Sequence, residues 1–536
     1  MRTRILTTCG SAALALLVVE PAMARECSDL AAATIPDLEI TSAAVQPAGP
    51  FTLPAEFGPA TTAELPAFCR IQGVLRPTAD SHIAFEVWLP AENWNGRFHG
   101  VGNGGFAGSI PLSGLASALR NGHAAAASDT GHNPGGTDAS WARGHPEKVV
   151  DFGWRAVHLT AVAGKALAAA YYGAAPRKSY FVSCSNGGRQ GLMEAQRFPD
   201  DYDGIIAGAP AYNWTGLFTG FVWNAQQLGR PGSSISAAKT PAIAAAVLAR
   251  CDKLDGLADG LVGDPRQCRF DPAVLRCTAG ETNSCLTDPQ IAALRAVYQG
   301  PRKPDGTQIY FGFPPGGEVA PASPGWDLWI FGASPGASIQ NAFGSNFIKY
   351  VYGAPDDWTP ALFDFGRDFD LVDAKTAATF NATDPDLSRF AARGGKLILY
   401  HGWADAAIPA QGTIAYHDAV AQEMGADKAE SFVRTFMAPG MHHCAGGVGP
   451  SDFAQGGPTP ENDDPATSLT AALQAWVEHD RAPEQVIARQ MPVPGGPPGK
   501  PVRTGLLCAY PQQARLTPGA DPLRAESYVC VAPRTG

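Results

Sequence analysis

The chain has 536 residues, of which 45% are hydrophobic and 17% charged, a composition typical of a soluble globular protein. This length fits one large α/β domain that carries a long insertion, or two to three domains. The formal net charge of −10 argues against nucleic acid and anionic membranes as partners.

The N-terminus has the pattern of a secretory signal peptide. A basic start precedes an apolar run from Ala12 to Val19, and Ala22-Met23-Ala24 forms a small-x-small cleavage site. The alternative is a transmembrane anchor, but the run is too short to span the ~30 Å of a bilayer. We therefore assign residues 1–24 to a signal peptide and expect a secreted or periplasmic protein without a membrane partner.

Strand and helix patterns alternate over the first part of the mature chain. Strand patterns occupy 82–89, 97–101, 179–183 and 204–208, and helical patterns occupy 154–172 and 188–198. Such alternation indicates a parallel sheet with helices on both faces. We assign residues 25–211 to the N-terminal part of an α/β core.

A long segment then interrupts this alternation. Residues 212–390 are rich in Gly, Pro, Trp and Asp and contain four cysteines. The pattern resumes with a strand at 396–400, a helix at 414–424 and a strand at 431–437. We predict that residues 212–390 form a lid domain inserted into the core, which residues 391–536 complete.

Ten of the eleven cysteines remain once the signal peptide is removed. An even number in an exported protein indicates disulfides, and the absence of any C-x-x-C argues against the alternative of a zinc site. The sequence alone does not give the connectivity. Local pairing favours Cys27–Cys69, Cys251–Cys268, Cys277–Cys285 and Cys508–Cys530, which leaves Cys184–Cys444.

One serine has the surroundings of a nucleophile. The run Ser183-Cys184-Ser185-Asn186-Gly187 lies between a predicted strand and a predicted helix, and it resembles the G-x-S-x-G nucleophile elbow with a serine in place of the first glycine. A strained turn of this kind needs small neighbours, which the glycines on the helix side supply. The alternative is an ordinary glycine-rich turn.

An acid and a base follow in the chain order of α/β-hydrolases. Asp405 comes after the strand at 396–400, and His443 comes after the last predicted strand. We expect Ser185 to attack an ester carbonyl, His443 to transfer its proton, and Asp405 to orient the imidazole. His442 is a competing base, whereas His401 and His417 are interpreted as structural residues.

The dipeptides Cys184-Ser185 and His443-Cys444 support the same assignment. A serine and a histidine that share a proton lie within ~3 Å of each other. The adjacent cysteines then come to about the ~5.5–6 Å Cα separation of a disulfide. For the oxyanion hole we expect the backbone N–H of Asn186 and that of Gly104 or Gly105, between which the sequence does not decide.

These motifs resemble the tannase and feruloyl esterase family over nearly the whole mature chain. The resemblance rests on Cys-Ser-x-Gly-Gly from Cys184, Gly-Trp-x-Asp ending at Asp405, and the late His443-Cys444. It also includes the segments 93–98, 188–191, 198–204 and 208–211. The resemblance implies an α/β-hydrolase core, a lid after residue 211, esters of aromatic acids as substrates, and the five disulfides favoured above.

The run from Cys251 to Leu261 is similar to a lid calcium site of that family. Three carboxylates occur within residues 252–259, and two glycines allow the chain to wrap around an ion. The alternative is a solvated Asp-Gly turn. The resemblance implies a structural Ca²⁺ held by Asp252, Asp255, Asp259 and the backbone carbonyls of Leu257 and Leu261.

The leading hypothesis is a carboxylic ester hydrolase that acts on feruloyl (hydroxycinnamoyl) or galloyl esters, free or attached to plant polysaccharide or polyphenol. The second is a mono(2-hydroxyethyl) terephthalate or general aryl-ester hydrolase. No arginine lies between Arg302 and Arg367, where the basic residues are Lys303 and Lys349. This argues against a lid arginine that grips a free carboxylate. A third hypothesis, a non-catalytic polyphenol- or polysaccharide-binding protein, is disfavoured by the complete set of catalytic residues. The lid supplies aromatic side chains that are candidates for stacking on a phenolic ring: Trp326, Trp329, Phe331, Phe343, Phe347, Tyr350 and Tyr352.

Overall fold

The computed structural model describes residues 25–54, 60–319, 325–456, 462–492 and 500–533. The predicted signal peptide therefore lies outside the described residues. The strands are β1 (Leu38–Gln46), β2 (Gly49–Leu53), β3 (Thr61–Leu65), β4 (Phe68–Leu75), β5 (Ile83–Pro90), β6 (Arg97–Val101), β7 (Ala124–Ser128), β8 (Lys178–Cys184), β9 (Gly204–Gly208), β10 (Lys396–Gly402), β11 (Val433–Ala438), β12 (Gln485–Gln490), β13 (Arg503–Cys508), β14 (Gln513–Leu516) and β15 (Tyr528–Val531).

The α-helices are α1 (Leu112–Arg120), α2 (Pro146–Val150), α3 (Ala156–Tyr172), α4 (Asn186–Arg197), α5 (Trp214–Leu228), α6 (Thr240–Cys251), α7 (Asp288–Gln299), α8 (Ile339–Asn346), α9 (Asp368–Phe380), α10 (Ser388–Ala392), α11 (Gln411–Met424), α12 (Ala426–Glu430) and α13 (Leu469–His479). A π-helical turn, Asp151–Arg155, joins α2 to α3. Two further π-helical segments are Asp327–Phe331 and Phe347–Tyr352.

Nine strands form one mixed sheet in the order β1, β4, β5, β7, β6, β8, β9, β10, β11. The pairings from β1 to β7 are antiparallel, and those from β7 to β11 are parallel. The strand β9 is short, apolar and buried at every position, as expected for a parallel strand that is covered on both faces. The predicted α/β class with a parallel core is therefore confirmed.

Alternate residues of the central strands face opposite layers of the core. Phe181 and Ile205 belong to the layer packed by α3 and α4, whereas Tyr180 and Ile206 belong to the layer covered by α13. Because β8 is held between β6 and β9, the turn that leaves its carboxyl end has a rigid base. Ser185 lies in that turn.

The segment between β9 and β10 contains helices α5 to α10, and its described residues add no strand to the large sheet. An aromatic cluster joins it to the core. Trp214 and Phe218 of α5 lie against Phe106, at a ring distance of 6.0 and 5.4 Å, and Trp214 also contacts Phe152. The insertion therefore packs beside the loop that follows β6. Its proposed limits at residues 212 and 390 stay a prediction.

Five disulfides crosslink the described residues. Their pairing agrees with the one that the sequence favoured: Cys27–Cys69, Cys184–Cys444, Cys251–Cys268, Cys277–Cys285 and Cys508–Cys530. Four of them span 42 residues or fewer, whereas Cys184–Cys444 spans 260. Among the disulfides of the described residues, Cys184–Cys444 is the one that connects β8 with the loop after β11.

Candidate active site

Ser185 occupies a strained turn between β8 and α4. Its φ of 69° and ψ of −124° lie in a region that non-glycine residues rarely adopt. The turn is fixed by its backbone, since the Ser185 N–H donates to the Gly208 carbonyl at 2.9 Å and the Ala211 N–H donates to the Ser185 carbonyl at 3.2 Å. This geometry is that of the predicted nucleophile elbow.

The two glycines after Ser185 have steric reasons to be glycines. A Cβ on Gly187 would overlap the Ser183 hydroxyl, and a Cβ on Gly188 would overlap the carbonyl of Gly208. The start of α4 thus lies directly against β8 and β9. This close approach explains why the elbow requires small residues on its helix side.

The structure brings the three predicted side chains together. Ser185 Oγ lies 2.9 Å from His443 Nε2, and His443 Nδ1 lies 2.8 Å from Asp405 Oδ2. A carboxylate only accepts hydrogen bonds, so Nδ1 carries the proton and the neutral imidazole accepts the serine hydroxyl at Nε2. This is the arrangement in which a histidine acts as a general base toward serine.

Asp405 is buried and receives several hydrogen bonds. Its Oδ1 accepts the backbone N–H groups of Ala407 and Ile408, at 2.7 and 2.9 Å. Its Oδ2 accepts from both His443 and His401. Burial alone raises the pKa of this carboxyl, but the positive charge that His443 carries when it is protonated and the hydrogen bonds from the two histidines outweigh it. The pKa of Asp405 is therefore held well below its usual value.

His401 was interpreted from the sequence as structural, yet it touches the same carboxylate oxygen as His443. Its Nε2 lies 3.0 Å from Asp405 Oδ2. The sequence signal for this contact was weak, because a spacing of four residues places two side chains together on a helix but not across the end of a strand. By contrast, His417 forms its hydrogen bond with Thr435 Oγ1, at 2.9 Å, and not with Asp405.

The competing base His442 has another partner. Its Nε2 donates to the carbonyl of Val319 at 3.1 Å, and burial lowers its pKa. The neighbouring residue Cys444 is bonded to Cys184 at a Cα separation of 5.9 Å. The disulfide therefore lies directly beside the contact between Ser185 and His443.

The loop after β6 lies against the start of α4. The backbone N–H of Asn103 donates to Gln190 Oε1 of α4 at 2.9 Å, and its side chain donates to the Ser128 carbonyl at 2.7 Å. Asn186 is the first residue of α4, so its N–H has no acceptor within the helix. Gly105 has a φ of +47°, where a side chain would be strained. The structure leaves both Gly104 and Gly105 as candidates.

One aromatic side chain of the insertion lies next to His443, and a second lies parallel to the first. The Trp329 ring is 5.7 Å from the His443 ring, and Phe343 lies parallel to Trp329 at 6.1 Å. A Cβ built on Gly105 would come within 3.2 Å of the Phe343 ring. His443 and the candidate oxyanion loop therefore share one aromatic wall, formed by Trp329 and Phe343.

The other five predicted aromatic residues are distributed through the insertion. Trp326 is fully buried against Tyr298, and Phe347 packs against Phe218 and Phe380. Tyr350 and Tyr352 lie beneath the cationic groups of Arg143 and Lys375, respectively. Phe331 contacts Trp326. Their described ring contacts are thus with residues other than the predicted catalytic ones.

The predicted calcium residues lie on a turn that follows α6. Asp252 Oδ1 accepts the backbone N–H groups of Asp259 and Gly260, each at 3.1 Å, and Asp255 Oδ1 accepts that of Leu257 at 2.9 Å. These bonds fix the orientation of the Asp252 and Asp255 carboxylates. The chain wraps back there through left-handed glycine conformations at positions 256 and 260.

The surroundings of Asp255 in this turn disfavour its charged form. Burial raises the pKa of Asp255 to about 6, and the charges of Asp259 and Asp252 add to this shift. Asp259 also forms an ion pair with Arg503. The donor oxygens suit a hard cation, although the three carboxylates do not all converge within 4.8 Å of one another in the described structure.

Within the described residues, one group of His, Asp and Glu side chains does converge to 4.8 Å: His158, Glu194 and Asp201. His158 Nδ1 lies 2.6 Å from Asp201 Oδ2, and Lys165 Nζ lies 3.3 Å from Asp201 Oδ1. Burial, with the nearby charge of Asp201, raises the pKa of Glu194 well above its usual value. The cluster already contains a cation, and we interpret it as a charge network that joins α3 to the end of α4 remote from Ser185.

Comparison with known proteins identifies the family. Residues 69–531 match the family described as tannase and feruloyl esterase. The chain belongs to the tannase and feruloyl esterase family. The esterase is 43% identical to an uncharacterized esterase of Xanthomonas campestris pv. campestris, over 97% of this chain and 93% of the relative.

Two further comparisons bear on activity and fold. The esterase is 33% identical to the mono(2-hydroxyethyl) terephthalate hydrolase of Piscinibacter sakaiensis, over 88% of this chain and 86% of that protein. It superposes on the crystal structure of feruloyl esterase B from Aspergillus oryzae with a TM-score of 0.84 and 29% identity, covering 94% of this chain and 99% of the other. This family member is a carboxylic ester hydrolase with an α/β-hydrolase fold.

Proposed function

We propose that this esterase hydrolyses esters of aromatic acids, with a feruloyl (hydroxycinnamoyl) or galloyl acyl group, through Ser185, His443 and Asp405. The observation that carries the proposal is the 2.9 Å contact between Ser185 Oγ and His443 Nε2 at a strained turn. The buried carboxylate behind His443 supports it, because it favours the imidazolium that forms during proton transfer.

In the first half of the proposed reaction, His443 takes the proton of Ser185 as Oγ attacks the ester carbonyl carbon. The carbonyl oxygen becomes an oxyanion, which accepts hydrogen bonds from the N–H groups of Asn186 and of Gly104 or Gly105. His443 then gives its proton to the leaving alcohol as the carbon–oxygen ester bond breaks. The product is an acyl-serine and a free alcohol.

In the second half, water takes the place of the alcohol. His443 accepts a proton from the water as it attacks the acyl-serine, and the same oxyanion donors stabilise the second tetrahedral species. The proton returns to Ser185 Oγ as the acyl bond breaks. The free aromatic acid leaves, and the enzyme is restored without any external cofactor chemistry in these steps.

The aromatic acyl group is proposed from the wall beside His443. The Trp329 ring lies 5.7 Å from the ring of the base, and Phe343 is buried and parallel to Trp329, so a phenolic ring can stack on the accessible part of Trp329. Trp329 is half-buried, which leaves part of its surface accessible to a ligand. A substrate attached to plant polysaccharide or polyphenol would present its alcohol side toward solvent.

A second candidate substrate is mono(2-hydroxyethyl) terephthalate, because a relative with 33% identity is named as its hydrolase. A free carboxylate on the substrate would need a cation near the aromatic wall. Arg143 is already engaged, since it donates to Asp356 and to the carbonyls of Lys349 and Ala354. The feruloyl or galloyl ester is therefore the preferred proposal.

A steady-state kinetic panel tests the proposal. It compares methyl ferulate, methyl gallate and mono(2-hydroxyethyl) terephthalate on the purified enzyme, with Ser185→Ala as the control. We expect the highest kcat/KM on ferulate or gallate and no turnover by the variant. A preference for the terephthalate ester would replace the preferred substrate by the second candidate, and full activity of Ser185→Ala would overturn the proposed nucleophile.

We also propose a structural Ca²⁺ at the turn after α6, held by the carboxylates of Asp252, Asp255 and Asp259 and the carbonyls of Leu257 and Leu261. Burial, together with the charges of Asp259 and Asp252, raises the pKa of Asp255, and a bound divalent cation would stabilise the charged carboxylates against both effects. It takes no part in the ester chemistry. A calcium chelator is expected to lower Tm in the wild type but not in Asp255→Asn, and an unchanged wild-type Tm would contradict the site.

Export through residues 1–24 is likewise a proposal. The five disulfides support it, because such bonds persist in oxidising compartments. Among the described residues, none of the helices has the length and apolar character needed to cross a bilayer. N-terminal sequencing of the protein from the periplasm or medium should begin at Arg25, and an intact Met1 there would contradict cleavage.

A further inference from the structure

Two histidines share one oxygen of Asp405. His443 Nδ1 lies 2.8 Å from Oδ2, and His401 Nε2 lies 3.0 Å from the same atom. His401 belongs to the end of β10 and is fully buried, whereas the His443 side chain is partly accessible. A buried side chain at this position is held by the sheet itself, so its donor group is fixed relative to the carboxylate.

The partners of His401 place a hydrogen on its Nε2. Besides Asp405 Oδ2, its Nε2 lies 3.1 Å from the Ile408 carbonyl oxygen, and both of these atoms only accept. Nε2 therefore carries a hydrogen. Its Nδ1 lies 2.7 Å from Thr413 Oγ1, a hydroxyl that is able to donate to it. The contacts are all satisfied by a neutral imidazole with its hydrogen on Nε2.

We propose that His401 is a positioning residue, which as a neutral imidazole donates its Nε2–H to the carboxylate oxygen that receives the Nδ1–H of His443. This inference rests on the proposed function, because it assigns to His401 a role through Asp405. Four donors surround the carboxylate: two backbone N–H groups on Oδ1 and two histidines on Oδ2. His401 prevents the carboxylate from rotating away from His443.

The shared oxygen has a second consequence for the base. Two donors on one oxygen divide its negative charge between them, so the His401 contact weakens the pull of Asp405 on a protonated His443. Removal of the His401 donor leaves that oxygen to His443 alone. The base then binds a proton more readily, and the acid limb of the kcat/KM profile, which reports that protonation, moves to higher pH.

Other titratable groups around Asp405 lie at longer range. His442, beside His443, interacts electrostatically with Asp405, and burial lowers its pKa. Tyr310, from the insertion, and Tyr400, from β10, also sense the carboxylate, and burial raises the pKa of both. His442 is hydrogen-bonded to a backbone carbonyl, and the two tyrosines are neutral in the assay range. His401 is thus the neighbour whose replacement changes the hydrogen bonding of Asp405.

The test uses His401→Leu, which removes the donor, and His401→Gln, whose amide N–H is able to replace it. For His401→Leu we expect kcat to fall about tenfold or more with a smaller change in KM. We also expect the acid limb to rise by about half a pH unit to one pH unit, the value of one neutral hydrogen bond. His401→Gln should recover part of kcat and return the acid limb toward the wild-type position.

His417→Leu is the matched control. His417 is also buried and also hydrogen-bonded through Nδ1 to a threonine hydroxyl, but its partner is Thr435. This variant reports the general cost of removing a buried histidine, so its acid limb should stay where it is in the wild type. Circular dichroism and Tm establish which variants are folded.

The outcomes separate the inference from the proposed function. If Ser185→Ala loses activity but folded His401→Leu keeps the wild-type kcat and acid limb, the role of His401 is overturned and the nucleophile stands. If Ser185→Ala is active, the proposed function itself fails. Should His401→Leu not fold, a ¹⁵N-histidine spectrum of the wild type, assigned with His401→Gln, decides. A neutral Nε2–H tautomer is expected, and an Nδ1–H tautomer would overturn the inference.

Discussion

Loss of the Cys184–Cys444 disulfide is expected to reduce activity by more than the accompanying loss of stability explains. It joins the residue before Ser185 to the residue after His443, at a Cα separation of 5.9 Å. In a double variant, Cys184→Ala/Cys444→Ala, the loop that carries His443 loses its covalent link to β8. The hydrogen bond from Gln455 Nε2 to the backbone carbonyl of residue 444, which is 3.2 Å long in the wild type, is one contact that still holds this loop.

The magnitude follows from the sequence separation and from the site. Loss of a crosslink that spans 260 residues lowers the free energy of unfolding by about 5 to 6 kcal/mol in the chain-entropy description. The same description gives about 3 kcal/mol for Cys508–Cys530, which spans 22 residues. A shift of about 1 Å between Ser185 and His443 costs on the order of 100-fold in rate.

The assay measures kcat/KM on methyl ferulate and the free energy of unfolding by denaturant for three proteins. These are the wild type, the Cys184→Ala/Cys444→Ala variant, and Cys508→Ala/Cys530→Ala as a control that also loses one disulfide. We expect both variants to be folded at the assay temperature and less stable than the wild type. Only the first should lose about 100-fold in kcat/KM. An unchanged kcat/KM in that folded variant would refute the reasoning.

Three further predictions concern single positions and pH. Gly188→Ala forces a Cβ against the Gly208 carbonyl, so it should lower the free energy of unfolding by about 1 to 3 kcal/mol and reduce kcat. Gly280→Ala, with open space around it, should do neither. Equal effects of the two substitutions in denaturant unfolding and in kinetic measurements would contradict the steric account. Trp329→Ala should raise KM for methyl ferulate about tenfold, with a smaller effect on KM for an aliphatic ester, while Tyr352→Ala should not. If the ratio of the two KM values is unchanged in both variants, Trp329 does not belong to the substrate site. Burial lowers the pKa of His99 and of His132 from 6.5 to about 4. Between about pH 4 and pH 6.5 the unfolded chain therefore binds more protons than the folded protein, and the free energy of unfolding falls as the pH falls. His132→Gln should flatten this decline in pH-dependent denaturant unfolding, and an identical slope would argue against burial of a neutral histidine at that position.

The sequence predicted the elements that carry strong patterns. Strand β8 and helix α4 were predicted within two residues of their observed limits, because a buried apolar run ends at a small-residue turn there. Residues 25 to about 80 received no elements, yet they contain β1 to β4. β1 is a partly exposed edge strand, and an irregularity in its register between Ile40 and Ser42 interrupts the alternation that would reveal it.

The residues of the candidate site also differ in how clearly the sequence reveals them. The proximity of Ser185, Asp405 and His443 could be predicted because each follows a strand in a motif whose chain order has a chemical meaning. The contact of His401 with Asp405 was not predicted, since it depends on the direction of one ring at the end of β10. Trp329 was one of seven aromatic candidates, and only three-dimensional packing distinguishes it from the buried Trp326.

The turn after α6 illustrates a further limit. The spacing of Asp252, Asp255 and Asp259 predicted carboxylates on one turn. It did not reveal that Arg503, from β13, pairs with Asp259. A partner more than 200 residues away in the chain is set by the tertiary fold, which local spacing does not encode.

The most direct test of the central claim is to trap the acyl-enzyme. Rapid acid quenching during turnover of methyl ferulate, followed by peptide mass spectrometry, should find a feruloyl group on the peptide that contains Ser185. The same experiment on Ser185→Ala should find no adduct and no hydrolysis. A feruloyl group on another residue, or hydrolysis by the variant at the wild-type rate, would contradict the assignment of Ser185 as the nucleophile.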